Sequence, residues 1–320
     1  MNQVEFVSLD DLVSSSHPYR KFMKIWSFKM VSKQLQKSEK DNPYKGYGLL
    51  RLFKCILLQF MEDLSDRELE RYLQENNAAK WFCDFGLLDK TPNYSVFSKF
   101  RKNIGTRFMS KVFDDLRNQL KQHGLISEVF SFVDASHLIS KANLWKERDK
   151  AIQEKYEKLN NEVLPKVAKD THARIGCKGG NKFWYGYKKH ASVDMQSGLI
   201  NKIAVTPANM TDAKGIKYIC PAGGAIYADK GYCTKDANKI AGKNNATLRA
   251  IKKNNMNGKN HDQDRFFSSI RSPYERVFSQ QNNRVRYRGV SKNYFAEICN
   301  AICFNLKRLV VLRMPDLCLD

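Results

Sequence analysis

Three acidic residues are the candidates for chemistry in this chain of 320 residues. Asp134 and Asp229 each close a short β-rich apolar run, and Glu275 opens the segment Glu-Arg-Val-Phe. Acidic ligands that converge from separate elements can hold two divalent cations about 3.5 to 4 Å apart, and Mg²⁺ prefers such oxygen ligands. A metal pair of this kind suits phosphodiester chemistry. We therefore predict that the three carboxylates form one metal site.

The charge of the chain indicates the partner of that site. Lys and Arg number 55 against 33 Asp and Glu, which gives a net charge of +22 at pH 7. The basic residues are spread along the chain, so the charge belongs to folded surfaces and favours a polyanion, above all nucleic acid. Basic groups also lie beside the predicted metal ligands, where a phosphate backbone needs them. These are Lys230, Arg271, Arg284, Arg286 and Arg288.

The sequence gives no support for several other classes of protein. The eight cysteines lack the spacing of zinc ligands, so we expect small core residues in a reducing compartment. The N-terminus lacks a secretory pattern and no apolar run is long enough to span a bilayer, so we predict a cytoplasmic protein. Neither a Walker A motif nor a GxGxxG motif is present, so ATP and dinucleotide cofactors are not expected.

Residues 1–124 read as a helical domain. Apolar residues recur at helical spacing, and Ser65 with Glu68 forms a predicted capping box at the start of a helix. Short helices joined by tight turns are typical of a helix-turn-helix-like DNA-binding unit, and a plain bundle with a solvated basic face is the alternative. The last helix carries three side chains that we predict to contact DNA: Lys99, Arg101 and Lys102.

Residues 125–320 read as a mixed α/β domain. A first strand ending at Asp134 is followed by a hairpin, and then strands and helices alternate. This order matches an RNase H-like fold, a mixed sheet flanked by helices. The predicted strands cover 128–134, 181–194, 199–205, 225–228 and 247–251, and the predicted helices cover 211–219 and 235–243.

Three further features of this domain allow alternative interpretations. An insertion at about 143–165 carries a helical apolar stripe that ends near Pro165, which could pack on the sheet or clamp a partner. On the hairpin, Lys188 and Lys189 are predicted to face DNA together with His190, and a solvated strand face is the alternative. Asp194 ends its own strand and is the substitute if an assigned aspartate fails.

The motifs around the three acids resemble those of a known family. Phe132–Ser136, Tyr227–Tyr232 and Tyr274–Phe278 are similar to the motifs around the two Asp residues and the Glu of bacterial insertion-sequence DDE transposases, specifically the insertion sequence five group of the insertion sequence four superfamily. In the pattern Tyr-x2-Arg-x3-Glu-x6-Lys around the Glu, Arg271 and Glu275 fit, whereas Ser268 and Asn282 replace the Tyr and the Lys.

This resemblance implies a mechanism and partners. Asp134 would bridge two Mg²⁺ ions, with Mn²⁺ as a substitute, and Asp229 and Glu275 would hold one ion each. Water would cut the phosphodiester at an element end, and the freed 3′-hydroxyl would attack target DNA. The helical domain would recognise terminal inverted repeats in double-stranded DNA, and a homodimer would bring two ends together.

Two other functions remain open at this point. One is a sequence-specific DNA-binding protein derived from a transposase, which binds without cutting. The other is a nuclease of the RNase H fold, which cuts without joining. The presence of all three acids favours an enzyme.

Overall fold

The computed structural model describes residues 7–41, 46–275, 277, 283–312 and 317–320. The chain forms two compact units, Met1–Gln119 with Cys299–Asp320, and Leu120–Ile298. The predicted boundary at 124 lies close to the observed one, but the C-terminal segment belongs to the helical unit and not to the sheet. This differs from the predicted domain 125–320, because a boundary drawn along the sequence cannot show that a distant segment returns.

The helical unit begins with six helices. Buried side chains line nearly every turn of the third helix, and the fourth helix has the predicted capping box, in which Ser65 Oγ accepts from Glu68 N and Glu68 Oε2 accepts from Ser65 N. The sixth helix breaks at Gly105, whose φ of 67° suits glycine. The helices are α1 (Pro18–Ile25), α2 (Lys29–Asp41), α3 (Leu49–Met61), α4 (Asp66–Glu75), α5 (Asn77–Phe82) and α6 (Tyr94–Gln122).

The second unit is built on a mixed sheet. In the described residues its strands are β1 (Phe130–Ile139), β2 (Arg174–Lys178), β3 (Lys182–Asp194), β4 (Ile200–Pro207), β5 (Gly224–Ala228) and β6 (Ala246–Ala250). The strands β4, β3, β1, β5 and β6 lie in that order, and β2 extends the sheet beside the first half of β3. Strand β3 is antiparallel to its neighbours, whereas β5 is parallel to β1 and β6. The predicted RNase H-like arrangement is confirmed.

Helices cover both faces of this sheet. Val133 and Ile226 pack with Ile216 and other residues of α9 and α10, while Leu138 and Tyr187 pack in a second core cluster with residues of α8 and α12. Burial on both faces explains why the central strands are largely apolar. The helices of this part are α7 (Leu144–Gln153), α8 (Leu164–Val167), α9 (Asp212–Ile219), α10 (Lys235–Lys243), α11 (His261–Arg271) and the beginning of α12 (Val290–Val311), which belongs to the helical unit from Cys299 onward.

Two predicted elements differ from the structure. Strand β1 continues past Asp134 to Ile139, because β3 remains paired with it after β5 has ended. The insertion helix α7 ends at Gln153, not near Pro165, since Lys155 adopts a φ of 63° and terminates the helix. Its predicted apolar stripe is therefore interrupted, and Trp145 is 69% exposed. Among the helices that the structure describes, none is long and apolar enough to cross a membrane.

Close packing of α9 against β3 generates a prediction about glycine. A Cβ atom on Gly215 would lie 2.2 Å from Cε1 of the buried His190, whereas a Cβ on Gly242 of α10 would meet nothing within 4 Å. Gly215→Ala should therefore lower the free energy of unfolding by about 1 to 3 kcal/mol through overpacking. The control Gly242→Ala should raise it by about 0.5 kcal/mol or more, because alanine favours helices. Urea denaturation measures both, and equal effects would contradict the packing described.

Candidate active site

The parallel pairing of β1 with β5 places the first two candidate residues. Val133 and Ala228 are the last residues aligned in this pairing, so Asp134 and Asp229 directly follow them on neighbouring strands. Parallel neighbours lie about 4.8 Å apart, which brings the two carboxylates to the same edge although they are distant in sequence. Asp229 then leads into a short 3-10 turn, Lys230–Tyr232.

The third candidate is joined to this pair by a buried arginine. Arg271 is the last residue of α11 and only 6% exposed. Its Nη1 lies 3.4 Å from Asp229 Oδ1, and its Nη2 lies 3.2 Å from Glu275 Oε1. The guanidinium also stands 5.6 Å from the ring centroid of Phe132. One cation therefore links two of the three predicted metal ligands.

Aromatic packing holds α11 against the sheet. Phe267, which is buried, makes an edge-to-face contact with Tyr227 on β5, with ring centroids 5.6 Å apart. The 3-10 turn Ser272–Tyr274 follows α11, and the hydroxyl of Tyr274 donates to the carbonyl of Met195. These contacts fix the end of α11, and with it the position of Arg271.

Glu275 lies just after this turn. Its backbone N–H donates to the carbonyl of Ser272, and its side chain is 57% exposed. Glu275 itself lies in a turn, and Val277, two residues further on, is helical. Residues 276 and 278–282, which include the predicted Lys place at Asn282, lie outside the described residues.

The two aspartates are electrostatically coupled. The pKa of Asp134 is raised to about 6, chiefly by burial and to a smaller extent by the negative charge of Asp229. A hydrogen bond from the backbone N–H of Ala135 and the charges of Arg271 and Lys178 oppose this rise. Two carboxylates in this position repel each other unless a cation neutralises them.

This donor set has the chemistry that a divalent cation requires, since it offers hard carboxylate oxygens beside each other. Within the described ranges, however, no three His, Cys, Asp or Glu side chains are grouped closely enough to hold a metal ion. The reason is visible at Glu275, which is bound to Arg271. The three residues fit a metal site provided that Glu275 leaves Arg271 to join the aspartates.

Comparison with known families identifies both units. Residues 7–103 match the transposase domain described as DUF772, and residues 161–306 match the Transposase DDE domain. The chain belongs to the DDE transposases. The pairing of these two domains is typical of transposases like those of the insertion sequence four family, and the finer assignment to the insertion sequence five group stays a prediction.

A solved structure is similar to this chain over most of its length. It is a cryo-EM structure of a piggyBac transposase synaptic complex with hairpin DNA. The match covers 92% of this chain and 76% of that chain, with 9% sequence identity and a TM-score of 0.40. At these values the likeness carries no weight for the site or its function.

Tyr232 is a residue of the site to which sequence reasoning gave no role. It is fully buried, and its hydroxyl has no hydrogen-bond partner among the residues that the structure describes. Burial raises the pKa of Tyr232 well above its ordinary value, and the charges of Asp134, Asp212 and Asp229 raise it further. The signal in the sequence was its place in the motif after Asp229.

Arg271 is one of the residues predicted to contact DNA, and the structure instead places it inside the site described above. Arg101, predicted with it, is also engaged within the protein. Its guanidinium donates to both carboxylate oxygens of Asp66, at 2.8 and 2.6 Å, and to the side-chain oxygen of Gln59. Only 11% of its side chain is exposed. The prediction that Arg101 faces DNA is therefore corrected, while its neighbours Lys99 and Lys102 are exposed.

The hairpin lysines are corrected in the same way. Lys188 Nζ lies 2.7 Å from Asp212 Oδ1 at the start of α9, and Lys189 Nζ lies 3.4 Å from Glu297 Oε2 on α12. Helices cover β3 on both faces, so neither lysine faces solvent. His190 is fully buried, and its Nε2 lies 2.9 Å from the hydroxyl of Thr206. Burial lowers the pKa of His190 to about 4, which keeps it neutral at pH 7.

Asp194, the substitute aspartate, has a structural role. It is fully buried, and its carboxylate accepts hydrogen bonds from the backbone N–H groups of Ser127, Glu128, Gln196 and Ser197. These bonds hold the turn after β3 against the start of β1. Both oxygens of the Asp194 carboxylate are therefore occupied by backbone donors and are not free to bind a metal.

The arginines after Glu275 lie on a segment that is tied to β1. Ile139 N donates to the carbonyl of Asn283, and Val285 N donates to the carbonyl of Ile139. At the other end of the segment, Gly289 N donates to the side chains of Asp170 and Tyr187. Of the remaining residues predicted to contact DNA, Arg286 is half-buried and the others are exposed: Lys230, Arg284 and Arg288.

The raised pKa of Asp134 predicts a pH-dependent stability in the absence of metal. The folded pKa of about 6 exceeds an unfolded value near 4, so ionised Asp134 destabilises the fold, and this loss of stability sets in as the pH rises from about 4 to 6. Asp134→Asn should be more stable than the wild type by about 1 to 2 kcal/mol at pH 8, and equal to it below about pH 4.

Urea denaturation in EDTA at several pH values measures this difference. Asp262→Asn is the control, because Asp262 is almost fully exposed on α11. It should show the same pH dependence as the wild type. A gain for Asp134→Asn that is the same at low and high pH would contradict the burial of the charge.

Proposed function

We propose that this transposase cuts DNA at the ends of its own element and joins the freed 3′-hydroxyl to target DNA. The observation that carries the proposal is the placement of Asp134 and Asp229 at the same sheet edge, with Glu275 joined to them through Arg271. The match to the Transposase DDE domain over residues 161–306 supports it.

The metal ligands would be the three carboxylates. Two Mg²⁺ ions, or Mn²⁺ in their place, would supply activation of the attacking oxygen and stabilisation of the leaving oxygen. Asp134 and Asp229 would hold these ions together with Glu275, because the two aspartates follow matched positions of β1 and β5. Glu275 is half-exposed at the end of a turn, so it has the freedom to swing toward the aspartates.

Arg271 would also bind the DNA phosphate. When Glu275 joins the aspartates, one edge of the guanidinium becomes free while the other stays with Asp229. A planar guanidinium presents its donors in a geometry that matches phosphate oxygens. The same residue would then orient the phosphate that is to be cut.

The partner would be double-stranded DNA, bound through Lys99 and Lys102 of the helical unit and through Lys230, Arg284 and Arg288 of the second unit. The helical unit, with Lys99 and Lys102 exposed, would bind the terminal inverted repeats. A second copy of the chain would bring the other element end, so that the active complex is a homodimer. The net charge of +22 supports a polyanionic partner of this size.

The first test removes each carboxylate in turn. Asp134→Asn, Asp229→Asn and Glu275→Gln should each reduce metal-dependent cleavage of element-end DNA by at least about 100-fold, since even residues behind metal ligands are worth up to that factor. Binding of the same DNA in EDTA should remain within about threefold, because the substitutions remove no positive charge. Asp262→Asn is the matched control and should cleave normally.

The products separate the three functions that the sequence leaves open. Purified protein with Mg²⁺ is incubated with the DNA that flanks its gene and with a target plasmid. Cleavage followed by joining supports a transposase, cleavage alone supports a nuclease, and binding alone supports a DNA-binding protein. A carboxylate variant with near-normal cleavage would remove that residue from the site.

A further inference from the structure

A cavity of about 630 Å³ lies in the second unit, away from the three carboxylates. Its walls are the segment 169–172 before β2 and the segment 288–292, which leads into α12. We call it the α12 cavity. Neither the mechanism above nor the matches to known families give it a role.

Three cations line the α12 cavity. Lys169, Arg288 and Lys292 line it and are exposed. None of the three forms an ion pair with any acid in the part of the chain that the structure describes. By contrast, Lys188 and Arg271 are both held by carboxylates. The lining cations are therefore available to an anion from outside.

The one acid in the lining is held inward. Asp170 is 1% exposed, and its carboxylate accepts from the hydroxyl of Tyr187 at 2.5 Å, from Gly289 N at 3.2 Å and from the hydroxyl of Ser140 at 3.3 Å. These three donors occupy the carboxylate and fix the floor of the cavity. The lining stays net positive, because three cations outnumber this single acid.

The position of the cavity relative to Asp134 follows from β1. Ser140, which donates to Asp170, lies six residues beyond Asp134 along this strand. At about 3.3 Å per residue, the cavity floor is roughly 20 Å from the acidic edge. That distance is roughly six base pairs of DNA at 3.4 Å each. A duplex with one phosphate at the carboxylates can therefore present another phosphate here.

We propose that the α12 cavity binds a backbone phosphate of DNA, several base pairs from the phosphate that is cut. This inference rests on the proposed function, because it takes DNA as the substrate. The cavity would contribute affinity without reading sequence, since phosphate contacts position a protein on DNA and base contacts specify the site. His172, which is exposed in the same lining, adds a hydrogen-bond donor.

The test compares two double variants that lose the same charge. Lys169→Ala with Lys292→Ala removes two cavity cations and leaves Arg288 in place. Lys239→Ala with Lys243→Ala removes two exposed lysines of α10 and is the control. Each full-length protein is titrated in EDTA with element-end duplex and with an unrelated duplex of equal length, at several salt concentrations.

The cavity variant should lose about two units from the slope of log Kd against log salt concentration, one for each lysine. Its Kd at 150 mM salt should rise on the order of tenfold for both duplexes alike, because the contact is to phosphate. The control should keep the wild-type slope. Lys169→Arg with Lys292→Arg should restore the wild-type slope, which separates a charge effect from a folding defect.

Two outcomes would overturn the proposal. If the cavity variant and the control have the same slope, the cavity does not contact DNA, whereas a transposase that binds and cuts DNA would still stand. If inorganic phosphate binds the wild type but the cavity variant binds DNA normally, the cavity is a site for a free anion. Failure of the wild type to bind any duplex would instead refute the proposed function.

Discussion

The pairing of β1 with β5 is the interaction on which the acidic site depends. Parallel strands end at the same sheet edge, so residues that follow matched positions become neighbours whatever their distance in sequence. The hydrogen bonds of this ladder are formed between backbone groups and do not depend on the side chains at the edge. The sheet can therefore hold two repelling carboxylates together, because the cost of their repulsion is small against the burial of its core.

A second constraint governs the basic residues. A charge that is removed from water must be paired, or its burial is strongly unfavourable. In the second unit, Lys188 and Lys189 satisfy this rule through an acid on a neighbouring helix, and Arg271 satisfies it through Asp229 at the end of β5. A large positive charge is thus only partly available to DNA. The cations without acid partners mark the surface that remains for an external anion.

Local patterns predict local structure well in this chain. The capping box at Ser65 could be predicted because its two hydrogen bonds join residues three apart in sequence. The strand β5 could be predicted from its apolar run, although its pairing partners lie far away in the chain. Asp134 and Asp229 were expected to meet at two strand ends; in the structure β5 ends before Asp229, whereas β1 continues past Asp134 to Ile139.

The failures have a common physical cause. Lys188 and Lys189 alternate with apolar residues as a solvated strand would, and only the packing of α9 and α12 on the two faces of β3 buries them. The ion pair of Glu275 with Arg271 forms because a turn follows α11 and brings the two side chains together. The return of the C-terminal segment to the helical unit is likewise a tertiary event.

The tied segment 283–289 has a consequence for the entropy of DNA recognition. Backbone hydrogen bonds with Ile139 fix one end of the segment, and hydrogen bonds from Gly289 N to two side chains fix the other end. The arginines of the segment therefore stand on an ordered backbone. Backbone freedom worth about 1 to 2 kcal/mol per residue is lost when the protein folds, before any DNA arrives. If Arg284 and Arg288 bind DNA as proposed, their contacts need to offset only the ordering of the side chains, which favours tight binding from few residues.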